Sequence, residues 1–228
     1  MIITCGGIKG GSGKTTVSSN IAVMLALRGF QVLYVDADEQ QTALDFSMAR
    51  EALGVEPKIT TVALHDTAVR SEVRKMQDRY DHVVIDTGGR DTTSQRAALT
   101  ISDILLAPFV PGSFDIWTAE KLDKLVAECG AVNERLAAYS FLNRADHQGS
   151  DNADAAEILS EMTNVTFWPE IRLGVRKAFR TAGGKGLAVI EWKGENRKGD
   201  EKAEAEVKAL FGAVMTAGGL SVETTEAA

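Results

Sequence analysis

Gly7-Ile8-Lys9-Gly10-Gly11-Ser12-Gly13-Lys14-Thr15-Thr16 joins an apolar run, residues 1–5, to residues 15–27, where Val17, Ile21, Val23, Met24 and Leu25 recur at helical spacing. Strand, glycine-rich loop, Lys-Thr and helix in that order read as a phosphate-binding loop. Gly10, Gly11 and Gly13 let backbone N–H groups converge on an anion with no Cβ in the way. The helix directs its positive end at the same point. Lys14 is expected to neutralise the β- and γ-phosphates, and the Thr15 hydroxyl to ligate Mg2+. Ser12 and Thr16 complete the expected cradle. The common pattern G-x-x-x-x-G-K-[ST] fails at one position, because Ile8 stands where its first glycine falls.

Working outward, residues 32–35 and 82–85 are apolar strand candidates ending in Asp36 and Asp86, and residues 104–109 and 139–142 are two more. Helical stretches are expected to fill the gaps, notably residues 119–128 and 151–162, with a last helix over 201–214, and Gly29 is a stop for the first helix. Strands that alternate with helices imply a mostly parallel twisted sheet covered on both faces, and fully apolar strands fit a sheet buried on both sides. The expectation is one α/β domain, residues 1–217, with the fold of a P-loop NTPase. A polar, acidic tail over residues 218–228 is expected to be flexible.

The chain has 228 residues, 44% of them hydrophobic and 25% charged, which excludes wholesale disorder. Two cysteines, Cys5 and Cys129, are too few for a disulfide framework or a four-ligand zinc site, and read as reduced thiols. No apolar stretch reaches the roughly 18 residues of a membrane span, and no signal peptide is visible. The expectation is therefore a cytoplasmic protein with no membrane partner. His65, His82 and His147 are scattered and read as surface or structural residues.

Lys9 is a second lysine where one suffices. From it onward the loop resembles that of the ParA/MinD family of deviant Walker-A ATPases, which reads K-G-G-x-G-K-[ST]; residues 9–15 fit at every position. The resemblance implies an ATP- and Mg2+-dependent hydrolase of weak intrinsic activity that dimerises on ATP. It implies that Lys9 reaches the partner's ATP while Lys14 holds its own.

Asp36 and Asp38 follow the second strand, at the end of a sheet where such folds bind ligands. The family has Asp-x-Asp there. Asp38 matches the residue that orients the attacking water, and Asp36 the one near metal and phosphates. Glu39 replaces a frequent proline. A pair of N-caps or turn formers is the alternative for both aspartates. Asp86 ends a strand as a Walker-B carboxylate does and is expected to hold Mg2+ through water; a purely structural role is its alternative. Gly88 and Gly89 follow, in a loop where relatives often carry proline, and are expected to let it move when the γ-phosphate leaves. Asn143 lies where the family places an adenine contact, with a polar strand end as its alternative.

Between residues 172 and 198, eight basic residues face two acidic ones, a net of +6 in a chain of −7, which leaves −13 elsewhere. That asymmetry fits an anionic partner, with a solvated charged face as the alternative. The resemblance implies nonspecific DNA binding here, through Arg172, Arg176, Lys177 and Arg180. With no segment ahead of the loop for a helix-turn-helix unit, the layout is that of the small, ParF-like ParA type. The expected role is partition of plasmid DNA over the nucleoid with a ParB-like adaptor. Positioning of a protein cargo, a carboxysome or a chemotaxis cluster, is the alternative. A MinD-like membrane regulator would need a basic amphipathic end, against which the acidic residues 221–228 speak. A nitrogenase-type iron protein would need two well-placed cysteines per subunit.

Overall fold

The structure is a computed structural model that describes residues 1–112, 116–145, 150–194 and 198–220. The elements run β1 (Ile2–Cys5), α1 (Lys14–Leu27), β2 (Val32–Ala37), α2 (Thr42–Leu53), β3 (Thr60–Ala63), α3 (Ala68–Met76), β4 (His82–Thr87), α4 (Thr93–Leu99) and β5 (Ile104–Phe109). They continue with α5 (Ile116–Gly130), β6 (Ala137–Ala145), α6 (Asp151–Ser160), β7 (Thr166–Gly174), α7 (Lys177–Gly183) and α8 (Glu201–Ala217). The strands form one seven-stranded sheet of order β3-β2-β4-β1-β5-β6-β7, parallel at each pairing. This is the expected fold class.

The order places β1 in the centre, between β4 and β5. The chain leaves β1 for one side of the sheet and, after β4, crosses to the other. The loop after β1 therefore sits at a switch point, where the ends of neighbouring strands diverge and open a crevice. Each residue of β1, β2, β4 and β5 is buried, as parallel strands covered on both faces must be. Helix α1 is buried almost all round, from Val17 to Ala26, because it lies under the sheet with α2, α7 and α8 packed beside it. Even its polar residues are tied inward. Ser18 and Tyr34 share a hydrogen bond of 2.7 Å, and Asn20 Oδ1 accepts from Val189 N at 2.8 Å.

The two edge strands carry no readable period. β3 is short and half-exposed. β7 contains Pro169, and its register to β6 shifts between Ser140 and Leu142; a bulge on an edge strand absorbs the missing proline N–H. Neither strand was expected; α2, α3, α4 and α7 fall in the gaps that helices were expected to fill, though the pattern sets no bounds for them. His147, Glu195, Arg197 and the 221–228 tail lie outside the described residues.

Candidate nucleotide site

The loop after β1 begins as the glycines dictate. Gly11 and Gly13 sit at φ +76° and +88°, and a Cβ on Gly13 would collide with Asn143 Nδ2. Gly13 is the residue ahead of α1, so the loop turns straight into the first helical amides. Lys14 is 6% exposed and its Nζ donates to Lys9 O at 3.1 Å, closing the loop on itself. Burial lowers its pKa, while Asp86 and then Asp38 oppose that shift. The Lys9 side chain is exposed. One loop thus holds one ammonium inside the cleft and one outside it.

Asp86 ends β4 beneath α1. Its Oδ2 accepts from Thr15 Oγ1 at 2.6 Å, and its Oδ1 is buried without a hydrogen-bond partner. Its pKa is pushed up to about 7, chiefly by burial and then by the like charge of Asp36, against the Thr15 hydroxyl and Lys14. A buried carboxylate oxygen with no donor, beside a threonine hydroxyl at a helix start, fits a hydrated Mg2+ brought in by phosphates. Among the described residues no three His, Cys, Asp or Glu side chains cluster as a metal cage. A cation here needs the phosphates as co-ligands.

Asp36 is fully buried. Its Oδ1 accepts from Asp38 N at 3.1 Å and its Oδ2 from Leu44 N at 2.8 Å. It pins the loop between β2 and α2, the turn-forming role that stood as its alternative, and its charge also acts on Asp86, its neighbour across the sheet. Burial raises its pKa, and the amides of Leu44, Asp38 and Ala43 work against that. Asp38 lies in the wall of the cleft opposite Gly88, whose Cβ would stand 3.3 Å from Asp38 Oδ1.

Asn143 is 5% exposed, and its Nδ2 donates to Ser12 O at 2.6 Å. Its Oδ1 accepts from Arg144 N at 3.0 Å. In this structure it holds the loop from beneath, a role that the expected adenine contact did not include. Gly89 is the other close contact. Its Cβ would lie 2.5 Å from Gly10 Cα and 2.9 Å from Lys9 C, so the loop after β4 rests on the phosphate loop backbone to backbone.

Further residues of the site gave no sequence signal. Gln95, fully buried on α4, accepts through Oε1 from Gly7 N and Thr87 Oγ1, both at 3.0 Å, and ties β4, α4 and the loop start together. Arg90 and Arg144 stand in the wall of the cleft, which has a volume of about 800 Å3 and holds Gly10, Gly13, Lys14, Thr15 and Asp38. Arg144 has φ +53°, a left-handed backbone unusual outside glycine.

The four expected DNA contacts do not act alike. Arg176 forms a bidentate pair with Glu206 of α8, with Nε to Oε2 at 2.9 Å, and the same carboxylate accepts from Gly174 N at 3.0 Å. Arg172, Lys177 and Arg180 are exposed, as is Lys185. Glu191, one of the two acidic residues of that stretch, pairs with buried Arg50 of α2 at 2.8 Å. The basic residues therefore keep their charge unpaired by it.

A phosphate loop at the centre of a parallel sheet, with strand-end carboxylates facing it, defines a nucleotide-binding P-loop protein. Residues 3–188 match the CobQ/CobB/MinD/ParA nucleotide binding domain, and the chain belongs to that family. It is an ATP hydrolase of the deviant Walker-A type, as Lys9 and Lys14 foretold. It is similar to a maintenance of carboxysome distribution protein A of Halothiobacillus neapolitanus, 27% identical over 187 residues, 81% of this chain and 84% of the relative. A protein of the same description from Gloeobacter kilaueensis is 29% identical, over 88% of this chain and 87% of the relative. The fold superposes on a Cyanothece McdA–ATP complex with a TM-score of 0.75 at 15% identity, covering 98% of each chain. On the cell division ATPase MinD of Pyrococcus furiosus it does so with a TM-score of 0.71 at 19% identity, covering 94% of this chain and 98% of the other.

Proposed function

We propose that this protein is a positioning ATPase that distributes a protein cargo within the cell, by forming ATP-closed dimers that hold DNA without sequence preference. The observation that carries this reading is the division of the loop into a buried Lys14 and an exposed Lys9. A lysine directed away from its own phosphates is suited to those of a second copy. The relatives named for carboxysome distribution favour a protein cargo over a plasmid. Plasmid partition with a ParB-like adaptor is the second reading, which the basic flank alone also fits.

ATP enters with its phosphates on the amides of residues 10–16 and its charge against Lys14. Thr15 and Asp86 would hold Mg2+, which would supply positive charge to offset that of the phosphates. Asp38, at the γ end, accepts a hydrogen bond from the attacking water and aims it. Asn143 releases Ser12 O if it turns to the base. The closed dimer brings Arg172, Lys177, Arg180 and Lys185 of both copies onto one duplex by phosphate contacts, and hydrolysis releases it. The protein is then cytoplasmic and bound to the nucleoid in its ATP state. An adaptor on the cargo stimulates hydrolysis locally.

DNA retardation with ATP, ADP and a slowly hydrolysed analogue, repeated across salt concentrations, tests this. Binding should need ATP or the analogue and fall steeply with salt. Lys9→Ala should keep ATP affinity yet give monomers by light scattering. ATP-dependent dimers of Lys9→Ala would refute the trans role, and nucleotide-independent DNA binding would refute the switch.

A further inference from the structure

Three arginines of the fold are neutralised by carboxylates. Arg96 is held by Asp91 and Glu128, Arg50 by Glu191 and Arg176 by Glu206. Arg90 stands apart. It is exposed, it lines the nucleotide cleft, and among the described residues it makes no ion pair with Asp38, Glu39 or Asp66, the carboxylates in the same wall.

Its backbone, by contrast, is fixed on both sides. Gly89 rests on the Gly10 backbone. Asp91 takes Arg96 Nε and Nη2 at 2.7 and 2.6 Å, and Arg96 reaches Glu128 of α5 at 2.8 Å. Thr92 then caps α4, accepting from Gln95 N at 3.2 Å. On the near side, Gly88 abuts Asp38. An anchored backbone carrying an unpaired cation in the cleft that Lys14 also lines gains nothing for the fold. The arrangement gains once an anion occupies the cleft.

We propose that Arg90 is a catalytic residue of ATP hydrolysis, acting in cis on the γ-phosphoryl group. Water attacks the γ-phosphorus and a P–O bond forms. The bond from phosphorus to the β,γ-bridging oxygen breaks, and its electron pair stays on ADP. The water's proton leaves with inorganic phosphate or to solvent. Arg90 donates hydrogen bonds to the γ-oxygens throughout and no proton, since guanidinium stays protonated. Its planar fork matches phosphoryl oxygens, which lysine does not. The proposal rests on hydrolysis and not on the DNA or cargo reading.

The test is single-turnover phosphate release from saturating ATP, with ATP and ADP affinities measured separately. Arg90→Ala should slow release by about 100-fold or more, with ATP affinity within about fivefold of the parent. Arg90→Lys should recover part of the loss. The thermal midpoint of the nucleotide-free protein should not move, because the side chain is exposed. Release within about threefold of the parent overturns the proposal. So does weaker binding of both nucleotides with an unchanged saturated rate, which makes Arg90 a ground-state anchor. Equal losses in Arg90→Ala and Arg144→Ala also overturn it, because cleft charge rather than placement would then set the rate.

Discussion

Gly89→Ala adds a single methyl group where two loops touch. Its carbon would stand 2.5 Å from Gly10 Cα, 2.6 Å from Gly10 N and 2.9 Å from Lys9 C. All three are backbone atoms, so no flexible side chain can swing aside. Ordinary van der Waals contact begins near 3.4 Å, which requires the loops to part by about 1 Å. Displacement of that size at reacting groups costs on the order of 100-fold in rate, or about 2.7 kcal/mol in the barrier. The two loops carry Lys14 and, through Gly88, the contact to Asp38, so the loss should fall on hydrolysis. The core is untouched, and the thermal midpoint should stay within about 2 °C. Gly88→Ala is the control. Its methyl would stand 3.3 Å from Asp38 Oδ1, so the carboxylate need give by only a few tenths of an ångström and stay aimed, and a smaller loss than that of Gly89→Ala is expected. Single-turnover phosphate release at saturating ATP reads both variants. A Gly89→Ala rate within threefold of the parent would refute the reasoning that loop contact sets the geometry.

Three further outcomes are expected. Asn143→Ala leaves the Ser12 carbonyl without its buried donor and should lower ATP and ADP affinity alike, by about 1–3 kcal/mol, in isothermal titration; unchanged affinities would mean the loop holds its own shape. Arg50→Met strands Glu191 and should destabilise by about 3–5 kcal/mol in urea unfolding, whereas Arg50→Met with Glu191→Leu should regain most of it; a double variant as weak as the single would count against the pair. His82, 5% exposed and edge-on to Phe30, has its pKa lowered to about 4, by burial and then by the N-terminal ammonium, with Asp81 opposing. Between pH 4 and 6.5 the unfolded chain therefore binds a proton that the native one does not. Stability should rise with pH across that window, by at most about 3 kcal/mol, and this contribution should be complete above it; His82→Gln should flatten the slope.

The loop, the central strands and α1 were legible because their signals are local: an ordered motif, unbroken apolar runs and one long helical period. Asp36 shows where locality stops. A strand-end aspartate reads the same whether or not it also holds the loop that follows, and the bond from Leu44 N at 2.8 Å shows only in the fold. Arg176 likewise reads as one more cation until Glu206, thirty residues on, is seen to take it. Gln95 and Arg90 belong to no motif, and their meaning comes from what the sheet brings beside them. β7 escaped because Pro169 and two charged residues break its alternation, which only an edge position tolerates.

That same edge limits how copies of the chain can associate. β3 presents four residues, none of them buried, and β7 is interrupted by a proline and a shifted register. Neither margin supplies the straight row of free amides and carbonyls on which a neighbouring molecule would dock strand to strand. Growth into ribbons or fibrils by that route is disfavoured, so the sheet margins offer no competitor to the proposed ATP-closed dimer.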